Sequence, residues 1–179
     1  MEDLVKELST ELISRGLTIG TAESCTAGLI SAALASISGA SKYHRGGVIV
    51  YATDLKEKLL NVGHNTIVNH DVVSSEVASQ MALGGIYELE TDVCIAITGY
   101  AGNTGGNDKV PNGTIWICVA MLTDKQVNFN YKKLELHGSR GENIETCVIE
   151  ALKLAINTLK GSWHGRLCVL WHWKDDRRW

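Results

Sequence analysis

No two of the five cysteines (Cys25, Cys94, Cys118, Cys147, Cys168) are closely spaced. That excludes a zinc ribbon and a thioredoxin-like redox motif, both of which need paired thiols a few residues apart. No apolar run approaches the roughly 20 residues needed to cross a bilayer. The start, Met-Glu-Asp-Leu-Val-Lys-Glu-Leu, is amphipathic and acidic, unlike a signal peptide. A basic stripe is also missing: 17 Lys and Arg face 20 Asp and Glu, a formal charge of −3. A nucleic-acid binder held by phosphate contacts is therefore not expected. A single phosphate remains within reach, since one helix N-terminus or a local arginine suffices. These absences point to a protein of the reducing cytosol, with neither membrane nor nucleic acid as partner.

What is present fits one domain of 179 residues, with 45% hydrophobic and 21% charged residues. Leu4, Val5, Leu8 and Leu12 recur at helical spacing, with Gly16 as the stop. Leu17 to Thr21 reads as a strand entering a polar junction, Glu23 to Gly28. Thr26 to about Ser36 reads as a helix with Leu29, Ile30, Ala33 and Leu34 on its apolar face, broken at Gly39. Gly47 to Ala52 is a nearly continuous apolar strand of buried type, and Asp54 to Leu60 a helix capped by Thr53. The next helix starts after Ser74 and runs to about Tyr87, followed by a buried strand, Val93 to Thr98. Thr114–Met121 and Gln126–Leu136 read as two strands joined as a hairpin through Leu122–Lys125. Ser139 and Glu142 form a capping box for a helix to about Lys160, with Ile144, Val148, Leu152 and Ala155 on one face. Helices alternating with buried strands predict an α/β fold, a three-layer α/β/α sandwich with a mixed, mostly parallel sheet.

Ligands in such folds sit at the carboxyl ends of strands, where Glu23, Tyr51–Lys56 and Thr98–Gly106 all fall. Between Gly39 and Lys56 the chain offers a turn serine (Ser41) as candidate nucleophile, Lys56 as candidate base and Tyr51 as a hydroxyl to link them. A lysine works as a base only when its pKa falls from ~10.4 towards neutrality. A helix first turn contributes under one unit of that, so burial must supply the remainder. Ser24 and Thr26 open another helix, and Cys25 between them ranks below Ser41 because no histidine is placed beside it. The Gly99–Gly106 loop has neither the Rossmann nor the P-loop spacing, but its glycines let backbone N–H groups converge on an anion or amide oxygen. Arg140 at a helix start adds a cation and two donors for a phosphate or carboxylate.

At these residues the chain resembles the CinA C-terminal domain family, the nicotinamide-nucleotide amidases, over roughly residues 1–160. The family's Glu-Ser-Cys-Thr-Gly-Gly appears as Glu23-Ser24-Cys25-Thr26-Ala27-Gly28, and its Gly-Ser-Ser as Gly39-Ala40-Ser41. Arg-Gly-Gly-Val begins at Arg45, with Tyr51 to Lys56 matching Tyr-Ser-Asn-Glu-x-Lys. Val-Ser-x-Glu-Val spans Val73 to Val77, and Thr-Gly-x-Ala-Gly spans Thr98 to Gly102. The resemblance implies hydrolysis of the carboxamide of nicotinamide mononucleotide to nicotinate mononucleotide and ammonia, with no metal or organic cofactor. It maps the catalytic roles to Ser41 and Lys56, with Tyr51 and Ser24 as supporting hydroxyls. Substrate contacts map to Thr98, Gly99, Gly102, Gly105, Gly106 and Arg140, and the expected assembly is a homo-oligomer. A non-catalytic nucleotide-binding or assembly module of the same fold is the competing expectation.

The chain departs from the family pattern in places. Pro-x-Gly-Gly is replaced by Asn103-Thr104-Gly105-Gly106, and Lys-Pro-Val-Gly-Thr by Lys109-Val-Pro-Asn-Gly-Thr114. Gly-Asp-Arg becomes Gly138-Ser139-Arg140, and the domain often fused ahead of this one in the family is absent from the sequence. Residues 161–179 hold four of the five tryptophans and have no counterpart in the pattern. There His164, Cys168 and His172 share a four-residue spacing that could serve a metal, and an added packing or oligomer-contact segment is the simpler reading.

Overall fold

The computed structural model describes residues 1–123 and 126–161, and the backbone of 167–169. Helix α1 (Glu2–Ser14) buries Val5, Leu8 and Leu12, the spacing seen in the sequence, and ends where Gly16 takes a φ of 64°. Strand β1 (Ile19–Glu23), helix α2 (Leu29–Ala35), strand β2 (His44–Ile49), and helices α3 (Thr53–Leu60), α4 (His64–His70) and α5 (Ser75–Leu89) follow. Strand β3 (Val93–Gly99), the hairpin β4 (Thr114–Thr123) and β5 (Gln126–Glu135), helix α6 (Arg140–Leu159) and the short strand β6 (Leu167–Val169) complete it. The sheet order is β2-β1-β3-β4-β5-β6. β1 pairs parallel with both β2 and β3, while β4 and β6 run against their neighbours, so four of the six strands share one direction.

Helices cover both faces. Along β3, Val93, Ile95 and Ile97 face one core with α1, α2 and α6, while Cys94 and Ala96 face the other with α3 and α5. This is the strand period of two, and it gives the three layers expected. The second face is lined by small side chains, Ala22, Cys94, Ala96, Cys118 and Ala120. They let α5 lie close to the sheet; its Gly85 lies against Cys94 and Ala22, while its Gly84 lies against the Leu60 backbone of α3.

Several sequence expectations shift. β1 runs to Glu23 instead of stopping at Thr21, because its pairing with β2 and β3 continues to that residue. α2 begins at Leu29, not Thr26, since Ala27 (φ 51°) and Gly28 (φ 98°) take left-handed conformations. β2 starts at His44 and alternates between half-buried and exposed residues, as befits the edge strand it is. Thr53 is the first helical residue of α3 and not its cap; Ala52 occupies that position without a side-chain bond. The α4 helix was not expected. The capping box of Ser139 and Glu142 is present, and Ser74 caps α5 by accepting from the Val77 N–H. His164 and His172 lie outside the described residues, as does most of the tryptophan-rich segment; among the described residues no cluster of metal-ligating side chains occurs.

The close approach of α5 makes a direct prediction. A Cβ on Gly84 would sit 2.2 Å from the backbone oxygen of Leu60, which cannot swing aside. Gly84→Ala is expected to lose about 1–3 kcal/mol by overpacking, outweighing a helix-propensity gain of about 1 kcal/mol. Gly141→Ala in α6 meets nothing within 4 Å and should be neutral or stabilising. Urea denaturation of both variants checks this; equal stability of Gly84→Ala and wild type would mean α5 can move away from α3.

Candidate active site

Glu23, the last residue of β1, is fully buried. Its carboxylate accepts from the Thr26 hydroxyl (2.7 Å) and from the backbone N–H groups of Gly28 (2.9 Å), Ile30 (3.1 Å) and Ser31 (2.8 Å). Four donors satisfy the buried charge and cap the start of α2 at once. Residues 24–28 are thereby wrapped around the carboxylate, with Ser24 at the carboxyl end of β1. Sequence reading placed Glu23 at this junction but gave it no role; a glutamate immediately before a Ser-Cys-Thr run at a strand end is the signal that was available.

Lys56 enters the same place from the first half of α3. Only 1% of its surface is exposed, and its Nζ donates to Ser24 Oγ (3.0 Å) and to the Val50 carbonyl (2.7 Å). Among the described residues no carboxylate lies within ion-pair distance of it. Asp54, two positions earlier in the same helix, pairs with Lys58. Burial therefore pushes the Lys56 pKa down to about 8. Desolvation is the leading cause, in keeping with the sequence reading that burial must supply most of the shift.

Ser24 and Lys56 line a pocket of about 270 Å³ together with Cys25, Tyr51, Thr98 and Arg140. Gly99 and Gly105 also border it. Gly102 stands behind Arg140, where a Cβ would meet the guanidinium at 3.4 Å, and Gly106 is tied within its loop to Asn112. The Thr98 hydroxyl donates to the Val72 carbonyl (2.8 Å), fixing β3 to the segment before α5. Arg140, the first residue of α6, reaches across to donate to the Tyr51 hydroxyl (3.2 Å). Tyr51 is 59% exposed and forms part of the pocket rim, so it does not link Lys56 to a serine. Asn143 was not anticipated: it is buried, donates to the Ala101 and Gly138 carbonyls, and so locks the start of α6 against the glycine-rich loop.

Ser41 is not brought to this pocket. It sits exposed in a single turn of 3-10 helix (Ala40–Lys42), ahead of the amino end of β2. Lys56 lies beyond the carboxyl end of that strand, roughly 17 Å of extended chain away. The serine within reach of Lys56 is Ser24. Cys25, beside it, is 4% exposed, and its thiol pKa is lowered by a hydrogen bond with Cys147, with Arg140 and Lys56 adding to the effect against its burial.

The buried ammonium has a consequence for stability. The unfolded chain holds the lysine proton up to its ordinary pKa of 10.5, whereas the folded chain releases it near pH 8. Between these values the unfolded state binds more protons, so stability rises with pH and the cost of burial is fully felt below pH 8. Wild type should accordingly gain stability relative to Lys56→Met as pH is raised from 8 to 10, read by denaturation at each pH. Parallel pH profiles would show that Lys56 is not held charged in a dehydrated place.

The profile of the CinA C-terminal domain matches residues 1–159. The chain is 48% identical to a CinA-like protein of Thermosipho melanesiensis over 103 residues, 58% of this chain and 26% of that protein. It is 40% identical to a putative competence-damage inducible protein of Halothermothrix orenii over 140 residues, 78% of this chain and 33% of that one. It thus spans a quarter to a third of the length of these relatives. Against Protein YdeJ of Escherichia coli K12 it is 40% identical, covering 65% of this chain and 67% of the other. Among solved structures, competence damage-inducible protein A of Klebsiella pneumoniae superposes with a TM-score of 0.84 at 29% identity, covering 89% of this chain and 97% of that one. A competence/damage-inducible protein of Agrobacterium tumefaciens gives a TM-score of 0.83 at 32% identity, covering 89% and 94%. With fold, motifs and family profile in agreement over residues 1–159, the chain belongs to the CinA C-terminal domain family.

Proposed function

We propose that the protein is an amidohydrolase that converts nicotinamide mononucleotide to nicotinate mononucleotide and ammonia, with Ser24 as nucleophile and Lys56 as base. The observation that carries this reading is the Lys56 Nζ, buried with no carboxylate partner among the described residues and 3.0 Å from Ser24 Oγ. A module without chemistry gains nothing from such a lysine, since its dehydration costs stability at neutral pH.

The neutral amine of Lys56 takes the Ser24 hydroxyl proton as the oxygen bonds to the carboxamide carbon. Collapse of the tetrahedral species breaks the C–N bond, and the ammonium of Lys56 gives its proton to the departing nitrogen, which leaves as ammonia. A water then loses a proton to Lys56 and adds to the acyl carbon. Ser24 Oγ leaves, recovers the proton, and nicotinate mononucleotide is released. The pocket also offers a cation at its rim: no carboxylate among the described residues pairs with Arg140, which stands at the N-terminus of a 20-residue helix. That combination suits the 5′-phosphate of a mononucleotide.

Ser24→Ala should lower turnover by several orders of magnitude with the fold retained, while Ser41→Ala keeps near-wild-type activity. Ammonia release from nicotinamide mononucleotide measures both. Loss of activity in Ser41→Ala alone would return the nucleophile to that turn, and loss in Cys25→Ala alone would assign it to the thiol. The rate should rise with pH to a plateau, with a midpoint near the Lys56 pKa of about 8. Lys56→Arg, which cannot lose its proton, should be as inactive as Lys56→Ala.

Arg140→Ala is expected to raise KM for the mononucleotide while leaving hydrolysis of a phosphate-free analogue unchanged. Equal losses on both substrates would move the arginine's role to the amide end.

A further inference from the structure

Between Gly99 and Thr114 the chain makes a long excursion whose first half borders the pocket and contains no proline. Asparagines pin it internally: Asn107 Oδ1 accepts from the N–H groups of Lys109 and Val110, and Asn112 bridges from the Gly106 N–H to the Asn103 carbonyl. Near its start it is tied to α6 by the Asn143 bond to the Ala101 carbonyl, and a second side-chain attachment comes from the segment between α4 and α5. Asp71, between α4 and α5, accepts from the Tyr100 hydroxyl (3.1 Å) through one oxygen and from Asn107 Nδ2 (2.8 Å) through the other. The ring of Tyr100 in turn lies under Gly105, where a Cβ would stand 3.1 Å from Cδ1. A connected path therefore joins the Asp71 carboxylate to the loop backbone that borders the pocket.

Asp71 does this from a backbone conformation that disfavours it. Its φ of 72° and ψ of 153° lie in a region essentially reserved for glycine. A non-glycine residue persists there only where its surroundings over-determine it, and here the side chain also accepts from the Val73 N–H (3.0 Å). The bond from Thr98 to Val72 places this same segment against β3, so the clasp is anchored at the floor of the site.

We propose that Asp71 is a positioning residue that clasps the Gly99–Gly106 loop, through Tyr100 and Asn107, in the shape that binds substrate. This rests on the amidase reading for its substrate but not for its geometry. The clasp acts on affinity more than on the chemical step, because Ser24 and Lys56 are held by other elements.

Asp71→Gly separates the clasp from structural support, since glycine removes the carboxylate and relieves the backbone strain together. Hydrogen–deuterium exchange over residues 100–113 should rise strongly in this variant while the thermal midpoint is maintained. KM for nicotinamide mononucleotide should rise about tenfold, the equivalent of two lost hydrogen bonds, with kcat within about threefold of wild type. Asp71→Asn, which keeps one acceptor oxygen, should fall between, and Asn107→Ala should loosen the same peptides. Unchanged exchange in Asp71→Gly would overturn the clasp, and faster exchange with an unaltered KM would overturn its role in binding. Wild type that leaves nicotinamide mononucleotide untouched would end the amidase reading separately, while the exchange rates still decide the clasp.

Discussion

The carboxylate of Glu23 is the constraint on which the site is built. A buried charge needs donors, and the four it finds are all supplied by residues 26–31. Meeting that demand forces the chain into left-handed turns at Ala27 and Gly28 and delays the start of α2. Ser24 and Cys25 are left at the strand end, neither absorbed into the helix nor free to wander. A short polar run in the sequence is thus a rigid platform in the fold.

Lys56 has the opposite problem and no equivalent solution. Its ammonium is out of water, with a hydroxyl and a carbonyl as its partners among the described residues, and this loss of solvation lowers its pKa. A hydrophobic residue would fill such a position at less cost, so the arrangement makes physical sense where a neutral amine is useful. Glu23 and Lys56 therefore differ: a fully hydrogen-bonded carboxylate shapes the loop, while the Lys56 amine, with no carboxylate partner among the described residues, faces the pocket.

The remaining parts of the pocket come from far along the chain. Thr98 is the penultimate residue of β3, Arg140 begins α6, and Asn143 ties the two regions together through the Ala101 carbonyl. Parallel pairing of β1 with β2 and β3 is what brings the ends of these strands to one edge, where the glycine-rich loop and the start of α6 close over them.

Local signals determined α1, α5, β3, the β4–β5 hairpin and α6: apolar runs and stripes, a short hairpin link and helix-start residues all act between near neighbours in sequence. The Ser139–Glu142 capping box and the family motifs were legible because they too are local in sequence. The sequence also named the right sheet edge and seven of the pocket's neighbours: Ser24, Tyr51, Lys56, Thr98, Gly99, Gly105 and Arg140. It put Ser41 beside Lys56, because the two are close in sequence, whereas β2 runs between them and carries them to opposite ends of the sheet. The burial of Lys56, the demand of Glu23 for four donors and the strained Asp71 were equally hidden. Each is a balance of solvation and hydrogen bonding set by segments distant in sequence, and only the tertiary structure decides which groups lose their water.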